Sequence, residues 1–405
     1  MPQAPGAAAK PGARVGLGIA GLGMAGAAMV PAALRHPDIE LCAAADPHDA
    51  PRQAFARDAN ARVYADIRDL CADPAVEVVY IATPHQFHAA HAGLAAEAGK
   101  HIILEKPMAL TLADCDAIIA AVERAKVHLI VGHTHAFDPA VRAMRRIVAS
   151  GELGRLGMIA AWNYTNFLYR PRRPEELDTA QGGGIMFNQL PHQIDMVRLI
   201  GGGRLRSVRA QVTAFDPSRP TEGSAVAFLD FADGAAAALV YGGYDFFDSD
   251  ELHFWIGERG APKTPDRHGA ARRARSVPRD DEARARVETF AYGGGTAIGP
   301  PPAHQPHFGL MVVTCERGEV RASADGLTIY ESNGRREVAL PKSASNPGRS
   351  EVLDDMVAAI RTGRSPLHDG RWGKANAEAM LALLQSARER REIMLEHQVG
   401  VDASS

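Results

Sequence analysis

The sequence predicts an α/β protein: a doubly wound parallel sheet at the N-terminus, followed by an α+β domain with an open, mostly antiparallel sheet. Three observations support this fold class. A glycine-rich turn follows the first apolar run, apolar runs alternate with helical patterns up to about residue 135, and strand-like runs dominate afterwards. The 405 residues also favour more than one hydrophobic core. We therefore expect domains at 13–135 and 136–405, behind a disordered tail at 1–12.

Composition excludes several kinds of partner. The formal net charge is −3, which gives no reason to expect nucleic acid or an anionic membrane. No apolar run approaches the roughly 20 residues that cross a bilayer, and the tail lacks the apolar core of a signal peptide. The four cysteines are scattered without a Cys-x-x-Cys pair. We therefore expect a cytoplasmic protein with neither a disulfide framework nor a zinc site.

The glycine motif G-L-G-M-A-G at 21–26 lies between a predicted strand, 14–20, and a predicted helix. In the Rossmann arrangement Gly21 permits the tight turn, Gly23 lets backbone approach a pyrophosphate, and Gly26 lets the helix pack against the strand. The helix N-terminus, around Met24, offers N–H donors to phosphate groups. A βα turn without a ligand has the same glycines, but the strand, the helix and a distal acid together predict nucleotide binding.

That distal acid is Asp46, which ends the second apolar run, 39–45. Its carboxylate can accept hydrogen bonds from the adenosine ribose hydroxyls and would repel a 2′-phosphate, so the sequence favours NAD over NADP. Arg52 is close enough in sequence to keep NADP open. A solvent-exposed helix arginine is the alternative for that residue.

Loops at the carboxyl ends of the later strands should line the cofactor cleft, at 83–85, 105–107 and 133–135. The segments I-A-T-P-H-Q-F-H at 81–88 and G-K-H-I-I-L-E-K-P at 99–107 resemble the glucose–fructose oxidoreductase/inositol dehydrogenase (GFO/IDH/MocA) family, over nearly the whole chain. The resemblance implies a catalytic Lys106 beside the nicotinamide and a cis bond before Pro107. We expect Thr83, His88, Glu105 and Lys106 to contact the cofactor.

The chemistry of Lys106 agrees with that role. A lysine that follows a buried strand and faces a positive nicotinamide ring should have a lowered pKa and could share a proton with a reacting hydroxyl. A surface ion pair with Glu105 is the alternative.

A second motif runs from the glycines at 182–184 through I-M-F-N-Q-L-P-H-Q-I-D at 185–195. It resembles a family segment in which an acid is followed four positions later by histidine. Asn188 and His192 are expected on one helical face, and a histidine suits proton removal from an alcohol. Asn188 replaces the usual aspartate and cannot act as a base, so His192 is the main base and a polyol substrate is less favoured. A capping or core role is the alternative for His192, and Asp195 is expected to be structural.

Three arginines precede those glycines: Arg170, Arg172 and Arg173. Arginine recognises carboxylates through a planar fork, so we expect an anionic substrate; a solvated loop is the alternative. With Q-P-H-F-G-L at 305–310 and C-E-R-G at 315–318, the segment resembles the phthalate cis-4,5-dihydrodiol dehydrogenase branch. His135 is expected in the substrate pocket. The histidine groups 85/88/91 and 133/135 lack a completing cysteine or carboxylate, so no metal is expected.

We therefore predict an NAD-dependent dehydrogenase of aromatic catabolism that oxidises a carboxylated cis-dihydrodiol, of the phthalate 4,5-cis-dihydrodiol type, to a catechol. His192 would take the hydroxyl proton and Lys106 would stabilise the developing alkoxide. A sugar, inositol or other polyol dehydrogenase is the enzyme alternative, and an NAD-binding sensor without turnover is the other. Retention of both Lys106 and His192 argues against the sensor.

In the second domain, strands are expected at 158–164, 206–214, 224–231, 235–242 and 251–256. The polar stretch 258–302 is expected to be an insertion or lid. The resemblance implies that one face of the sheet serves the active site and the other packs against another subunit. A homodimer or homotetramer is therefore expected.

Overall fold

We describe a computed structural model of the chain, which covers residues 13–132, 134–274, 281–294, 301–342 and 348–401. The predicted tail at 1–12 and His133 lie outside the described residues. Within those ranges, none of the helices combines the length and apolar character needed to span a bilayer.

The described residues form two compact units, each drawn from three stretches of chain. The first comprises described residues of 1–133, 284–300 and 344–374, and the second those of 134–283, 301–343 and 375–405. The sequence predicts a single break near residue 135, whereas the structure returns two later segments to the first unit. They are held there by specific contacts: the Tyr292 amide donates to the Leu22 carbonyl at 2.9 Å, and Arg361 pairs with Asp38 at 2.7 Å.

Six parallel strands form the sheet of the first unit, in the order β3-β2-β1-β4-β5-β6. The chain order reverses beside β1, which brings the loops after β1 and β4 together at the carboxyl edge. This confirms the predicted doubly wound sheet. The strands are β1 (Val15–Ala20), β2 (Ile39–Ala45), β3 (Arg62–Tyr64), β4 (Val78–Ile81), β5 (His101–Leu104) and β6 (Leu129–Val131). The helices between them are α1 (Met24–Arg35), α2 (Asp49–Ala59), α3 (Ile67–Ala72), α4 (His88–Glu97) and α5 (Leu112–Ala125).

A nine-stranded sheet organises the second unit, in the order β14-β13-β12-β11-β7-β10-β9-β8-β15. Only the β7–β10 pair is parallel among its ladders, which confirms the mostly antiparallel prediction. The strands are β7 (Leu156–Tyr164), β8 (Leu205–Thr213), β9 (Ser224–Phe231), β10 (Ala236–Gly242), β11 (Leu310–Cys315), β12 (Gly318–Ser323), β13 (Gly326–Glu331), β14 (Gly334–Ala339) and β15 (Ile393–Met394). The later helices are α6 (Pro139–Ser150), α7 (Gly184–Asn188), α8 (Leu190–Ile200), α9 (Ala270–Arg273), α10 (Glu282–Phe290), α11 (Arg349–Thr362) and α12 (Gly370–Glu389).

The two faces of the nine-stranded sheet differ in burial. On one face Ile159 and Leu229 are fully buried, and buried Gln193 of α8 donates to the carbonyls of Ala161 and Val240. On the other face Trp162 is 46% exposed and Phe228 50%. Because alternate residues of a strand point to opposite faces, this pattern shows that α8 covers one face and leaves an apolar face open.

The strand expected at 251–256 is wrong. Residues Ser249–His253 form a 3-10 turn, which begins where the Asp248 carboxylate accepts the Asp250 amide at 3.1 Å. Phe254 and Trp255 then adopt positive φ angles of 59° and 53°, which interrupt any extended run. The aromatic and β-like composition suggested a strand, but the local capping side chain outweighs it.

The stretch 258–302 contains two short helices, α9 and α10, among its described residues. Glu282, at the start of α10, is buried and forms a two-fold ion pair with buried Arg219, with N–O distances of 2.7 and 2.6 Å. The same carboxylate accepts the Arg172 amide at 3.1 Å. This part of the stretch is therefore anchored to the second unit, and a lid function stays a prediction.

We predict that Glu282→Ala lowers the free energy of unfolding by about 3–5 kcal/mol, because it leaves the Arg219 charge buried without its partner. Denaturant unfolding followed by fluorescence measures the change. Glu288→Ala, on the exposed side of the same helix, is the matched control and should cost less than about 0.5 kcal/mol. Equal losses in the two variants would contradict the anchoring role.

Candidate active site

The glycine loop after β1 has the geometry of a phosphate cradle. Gly21 has a φ of +94° and donates its amide to the Ala45 carbonyl at 2.7 Å. A Cβ at Gly26 would stand 1.9 Å from the Gly21 oxygen, so only glycine fits there. A Cβ at Gly23 would meet nothing within 4 Å, and the first turn of α1 carries no acidic residue. Open space beside an uncompensated helix N-terminus fits a dinucleotide pyrophosphate.

The Asp46 side chain forms a hydrogen bond with the glycine loop. One carboxylate oxygen accepts the Leu22 amide at 2.7 Å, and the other accepts the His48 amide at 2.9 Å. The carboxylate thus joins the glycine loop to the end of β2, a role the motif did not reveal. The oxygen that binds Leu22 accepts one hydrogen bond within the described residues, so a lone pair is left for a ribose hydroxyl.

Arg52, which kept NADP open, is engaged within its own helix turn. One guanidinium nitrogen donates to the Asp46 carbonyl at 2.5 Å, and the other pairs with Asp49 at 3.0 Å. Its charge is therefore already partnered by a carboxylate.

The loops that carry Thr83 and Lys106 are joined by His88. Its ring is fully buried, with Nδ1 2.9 Å from the Pro107 carbonyl oxygen and Nε2 3.0 Å from that of Thr83. Burial lowers the pKa of the His88 imidazole. A neutral imidazole has one N–H, so the ring donates a hydrogen bond to one of these two carbonyls at a time. His88 thus fixes the two loops at the carboxyl edge of the sheet.

The remaining residues of these loops are also placed by side-chain contacts. The Lys106–Pro107 bond is cis, as the resemblance implies. Glu105 is buried and accepts a hydrogen bond from the buried Tyr80 hydroxyl. The Thr83 hydroxyl lies 2.9 Å from His91 Nδ1. The His88 ring is fully buried between these loops. Contact of Thr83, His88, Glu105 and Lys106 with the cofactor stays a prediction.

In the second unit, Asn188 and His192 do not share one helix, so that prediction is wrong. α7 ends at Asn188, Gln189 departs from helical geometry with a φ of −119°, and α8 begins at Leu190. Pro191 explains the break, because it lacks an N–H and its ring clashes with the preceding turn of a continuous helix. The Asn188 amide donates to the Gly184 carbonyl at 2.8 Å, so it closes its own glycine turn.

His192 instead belongs to a cluster of rings. Its ring centroid lies 5.0 Å from that of His135 and 4.9 Å from that of Phe308, which stacks on His135 at 4.7 Å. Nδ1 of His135 is 2.6 Å from a carboxylate oxygen of buried Asp138. A carboxylate behind an imidazole orients the ring. The structure therefore supplies two histidines suited to proton transfer, one of them oriented by an acid.

Sequence reasoning missed Phe308 and Asp138 as members of this cluster. The signal for Asp138 was present, since His135 and Asp138 stand at the i, i+3 spacing that lets side chains meet on one turn. Phe308 lies in the motif at 305–310, but its contact with the histidines joins distant parts of the sequence.

The three arginines before the glycine turn have different surroundings. Arg172 is buried over the Phe167 ring, donates to the Phe167 carbonyl at 2.7 Å and pairs with Glu176. Arg173 pairs with Glu175 at 3.1 Å and with Glu176 at 3.6 Å. Both side chains therefore stabilise their own loop.

Arg170 is different. Its Nε donates to the neutral Asn166 side chain at 2.7 Å, and among the described residues no carboxylate lies within ion-pair distance of it. It acts electrostatically on Tyr241, whose ring lies 6.2 Å from Phe308, and on Glu258. Among the three arginines, Arg170 is therefore the one without a described carboxylate in ion-pair contact, and its charge acts on Glu258 at longer range.

Glu258 is a further residue that sequence reasoning missed, because it lies in a polar stretch without a motif. Burial raises the pKa of Glu258, but Arg170, and His135 and His307 when protonated, outweigh burial and hold the pKa below its usual value. The carboxyl group is consequently ionised near neutral pH.

Comparison with known proteins agrees with this geometry. A family model described as an oxidoreductase family with an NAD-binding Rossmann fold matches residues 15–133, and a GFO/IDH/MocA C-terminal domain model matches 141–260. The chain is 40% identical, over 365 residues, to 1-carboxy-3-chloro-3,4-dihydroxycyclohexa-1,5-diene dehydrogenase of Comamonas testosteroni. The match covers 88% of this chain and 91% of that protein.

Two other relatives extend the comparison. A crystal structure from Bordetella bronchiseptica RB50, named as a dehydrogenase, is 45% identical with a TM-score of 0.90, and the match covers 94% of this chain and 100% of that one. Myo-inositol 2-dehydrogenase of Thermotoga maritima is 30% identical over 195 residues, which are 45% of this chain and 56% of that protein. These matches and the geometry together establish that the chain belongs to the GFO/IDH/MocA family and is an NAD(P)-dependent dehydrogenase.

Proposed function

We propose that this dehydrogenase oxidises a carboxylated aromatic cis-dihydrodiol to the corresponding catechol. The observation that carries the proposal is Arg170, which has no described carboxylate in ion-pair contact and acts electrostatically on Tyr241, whose ring lies 6.2 Å from Phe308. The Comamonas relative is named for a carboxylated dihydroxycyclohexadiene, which supports the same substrate class.

We assign separate roles in this reaction to a few residues of the second unit. Arg170 binds the substrate carboxylate through its planar fork, and the buried Phe308 ring packs against His135 and His192 and holds their two rings in place. His192 takes the hydroxyl proton, while Asp138 holds the ring of the neighbouring His135. The ketone that forms then tautomerises: the carbon that bears the second hydroxyl loses its proton, the ketone oxygen gains a proton, and the aromatic diol results. This aromatisation draws the reaction forward.

In the first unit, Lys106 stabilises the developing alkoxide, and the cofactor supplies the hydride acceptor. We propose NAD rather than NADP. Asp46 places a carboxylate at the glycine loop, and this negative charge would repel the 2′-phosphate of NADP. Arg52 is already paired with Asp49, so its guanidinium is a poorer partner for that phosphate.

Oxidation of a sugar or inositol is the alternative that the Thermotoga relative keeps open. It would not require the carboxylate fork of Arg170. A panel of carboxylated dihydrodiols, neutral dihydrodiols, inositols and sugars separates these substrates, and no hydride transfer with any of them would favour a sensor.

We also propose that a second copy of the chain covers the open face of the nine-stranded sheet. Trp162 and Val226 flank Val240 in register on that face, and Met158 and Phe228 extend it. All four large side chains are between 46% and 58% exposed, and contiguous apolar patches of this kind mark interaction surfaces. The mass of the protein in solution checks this proposal.

The first prediction concerns the cofactor. Asp46→Ala should weaken NADH binding roughly 10- to 150-fold, because a charge-assisted hydrogen bond contributes about 1.5–3 kcal/mol. Arg52→Gln, the matched variant, should leave NADPH affinity low and unchanged. Fluorescence titration with both nucleotides measures these affinities. Tighter binding of NADPH than NADH by the wild type would show that the assignment of Asp46 is wrong.

The second prediction concerns proton transfer. Lys106→Ala and His192→Ala should each lower the single-turnover rate of hydride transfer by roughly 10²–10⁴, with NAD binding largely retained. Lys342→Ala and His304→Gln change the same residue types at more exposed positions and should leave the rate unchanged. An unimpaired rate in either active-site variant removes that residue from the mechanism.

The third prediction separates the arginines. Arg170→Gln should raise KM for a carboxylated dihydrodiol roughly 10- to 150-fold, with a much smaller effect on a neutral dihydrodiol. Arg170→Lys should restore binding only partly, because lysine lacks the planar fork. Arg173→Gln is the control, since its charge is already paired with Glu175 and Glu176. Equal effects of Arg170→Gln on both substrates would exclude carboxylate recognition by Arg170.

A further inference from the structure

We propose that Glu258 determines substrate specificity: its buried carboxylate accepts a hydrogen bond from a substrate hydroxyl, and its charge limits the substrate to one carboxylate. This inference rests on the proposed function, because it concerns which carboxylated dihydrodiol enters the same site.

The backbone fixes Glu258 beside the ring cluster. Its carbonyl accepts the amide of His307 at 3.2 Å. His307 directly precedes Phe308, whose ring lies 4.7 and 4.9 Å from the rings of His135 and His192. The His307 ring is itself held by the Ile256 carbonyl at 2.7 Å. The backbone of Glu258 therefore lies next to the segment that carries Phe308, whose ring contacts both histidines proposed to transfer protons.

The Glu258 carboxylate has a hydrogen-bonding requirement that its surroundings do not meet. Oε1 is buried, and no described residue donates a hydrogen bond to it. A buried polar atom without a partner is unfavourable, and more so when it is charged. An ionised carboxylate can only accept, so the missing group is a donor. The vicinal hydroxyls of a dihydrodiol are donors of the required kind.

The charges around Glu258 support its ionised state. Arg170 and Arg259 act on it with positive charges that favour the negative form, whereas burial lowers the pKa of His307 and leaves that ring neutral near neutral pH. Tyr241 also lies within electrostatic range, but its hydroxyl is paired with the Thr165 hydroxyl at 2.7 Å and burial raises its pKa. Tyr241 therefore stays neutral and leaves the local charge unchanged.

The charge balance then selects the substrate. Of the three arginines before the glycine turn, Arg172 and Arg173 are paired with glutamates, whereas Arg170 has no described carboxylate in ion-pair contact. One substrate carboxylate can pair with Arg170. A second would add negative charge near Glu258 without a matching arginine from this loop, and like charges brought together at a binding site weaken binding. The site therefore takes a monocarboxylated cis-dihydrodiol in preference to the dicarboxylated, phthalate-type compound.

The experiment compares kcat/KM for a monocarboxylated and a dicarboxylated cis-dihydrodiol in the full-length enzyme. The wild type should prefer the monocarboxylated compound. Glu258→Gln keeps the size and an acceptor oxygen but removes the charge. It should lower kcat/KM for the monocarboxylated compound about tenfold and reduce the preference roughly 10- to 100-fold. Glu251→Gln is the control, because Glu251 lies on the same segment, is exposed and pairs with His268.

A binding measurement gives a second readout that does not depend on turnover. Calorimetric titration of the NAD-loaded protein with 3,4-dihydroxybenzoate and 4,5-dihydroxyphthalate should show the same preference and the same loss of preference in Glu258→Gln. If that variant fails to fold, as circular dichroism would show, Glu258→Asp keeps the charge but shortens the reach. It should weaken binding of the monocarboxylated compound while still rejecting the dicarboxylated one.

The outcomes separate the two proposals. Turnover of dihydrodiols with an unchanged preference in Glu258→Gln, or a wild-type preference for the dicarboxylated compound, overturns the role of Glu258 and leaves the proposed function standing. No turnover of either dihydrodiol overturns the proposed function and this inference with it.

Discussion

The buried carboxylate of Asp195 is the group on which the second unit's part of the active site depends. One oxygen accepts the Thr134 hydroxyl, and the other accepts the Asn376 amide at 2.7 Å. The side-chain oxygen of Asn376 accepts a hydrogen bond from Arg198 at 2.7 Å. Burial lowers the pKa of Arg198 to about 10. A buried charge is tolerated only when paired and hydrogen-bonded. Because His192 stands one helical turn before Asp195 and His135 directly follows Thr134, this one carboxylate positions both histidines.

Several residues that motifs associate with ligands also hold the loops that meet those ligands. Asp46 binds the amide of the glycine loop, His88 bridges the loops of Thr83 and Pro107, and Arg172 packs over Phe167. Such residues position the loops, so replacing them would change the shape of the candidate site as well as its chemistry. Arg170 and Glu258 differ, since the described residues leave an available charge on the first and a buried acceptor on the second.

Much of the fold, and the loops that carry the candidate site, could be predicted from the sequence. Both sheets, the glycine turn and the Lys106 loop were predicted correctly in type, because each depends on contacts within one βα unit or on alternation along a strand. The strand expected at 251–256 and the shared helix of Asn188 and His192 were wrong. In both places a single side chain, Asp248 or Pro191, changes the backbone locally and outweighs the wider pattern.

The sequence by itself determined the class of chemistry, since glycines, an acid and a lysine at fixed spacing act through neighbouring backbone and need no distant partner. Only the tertiary structure decided which of the three arginines at 170, 172 and 173 has no carboxylate in ion-pair contact, because that depends on where the carboxylates of Glu175 and Glu176 lie. It also decided that Phe308 and Glu258 belong with His135 and His192. Residues so far apart along the chain meet only through the packing of the folded sheet and its helices, which no local spacing encodes.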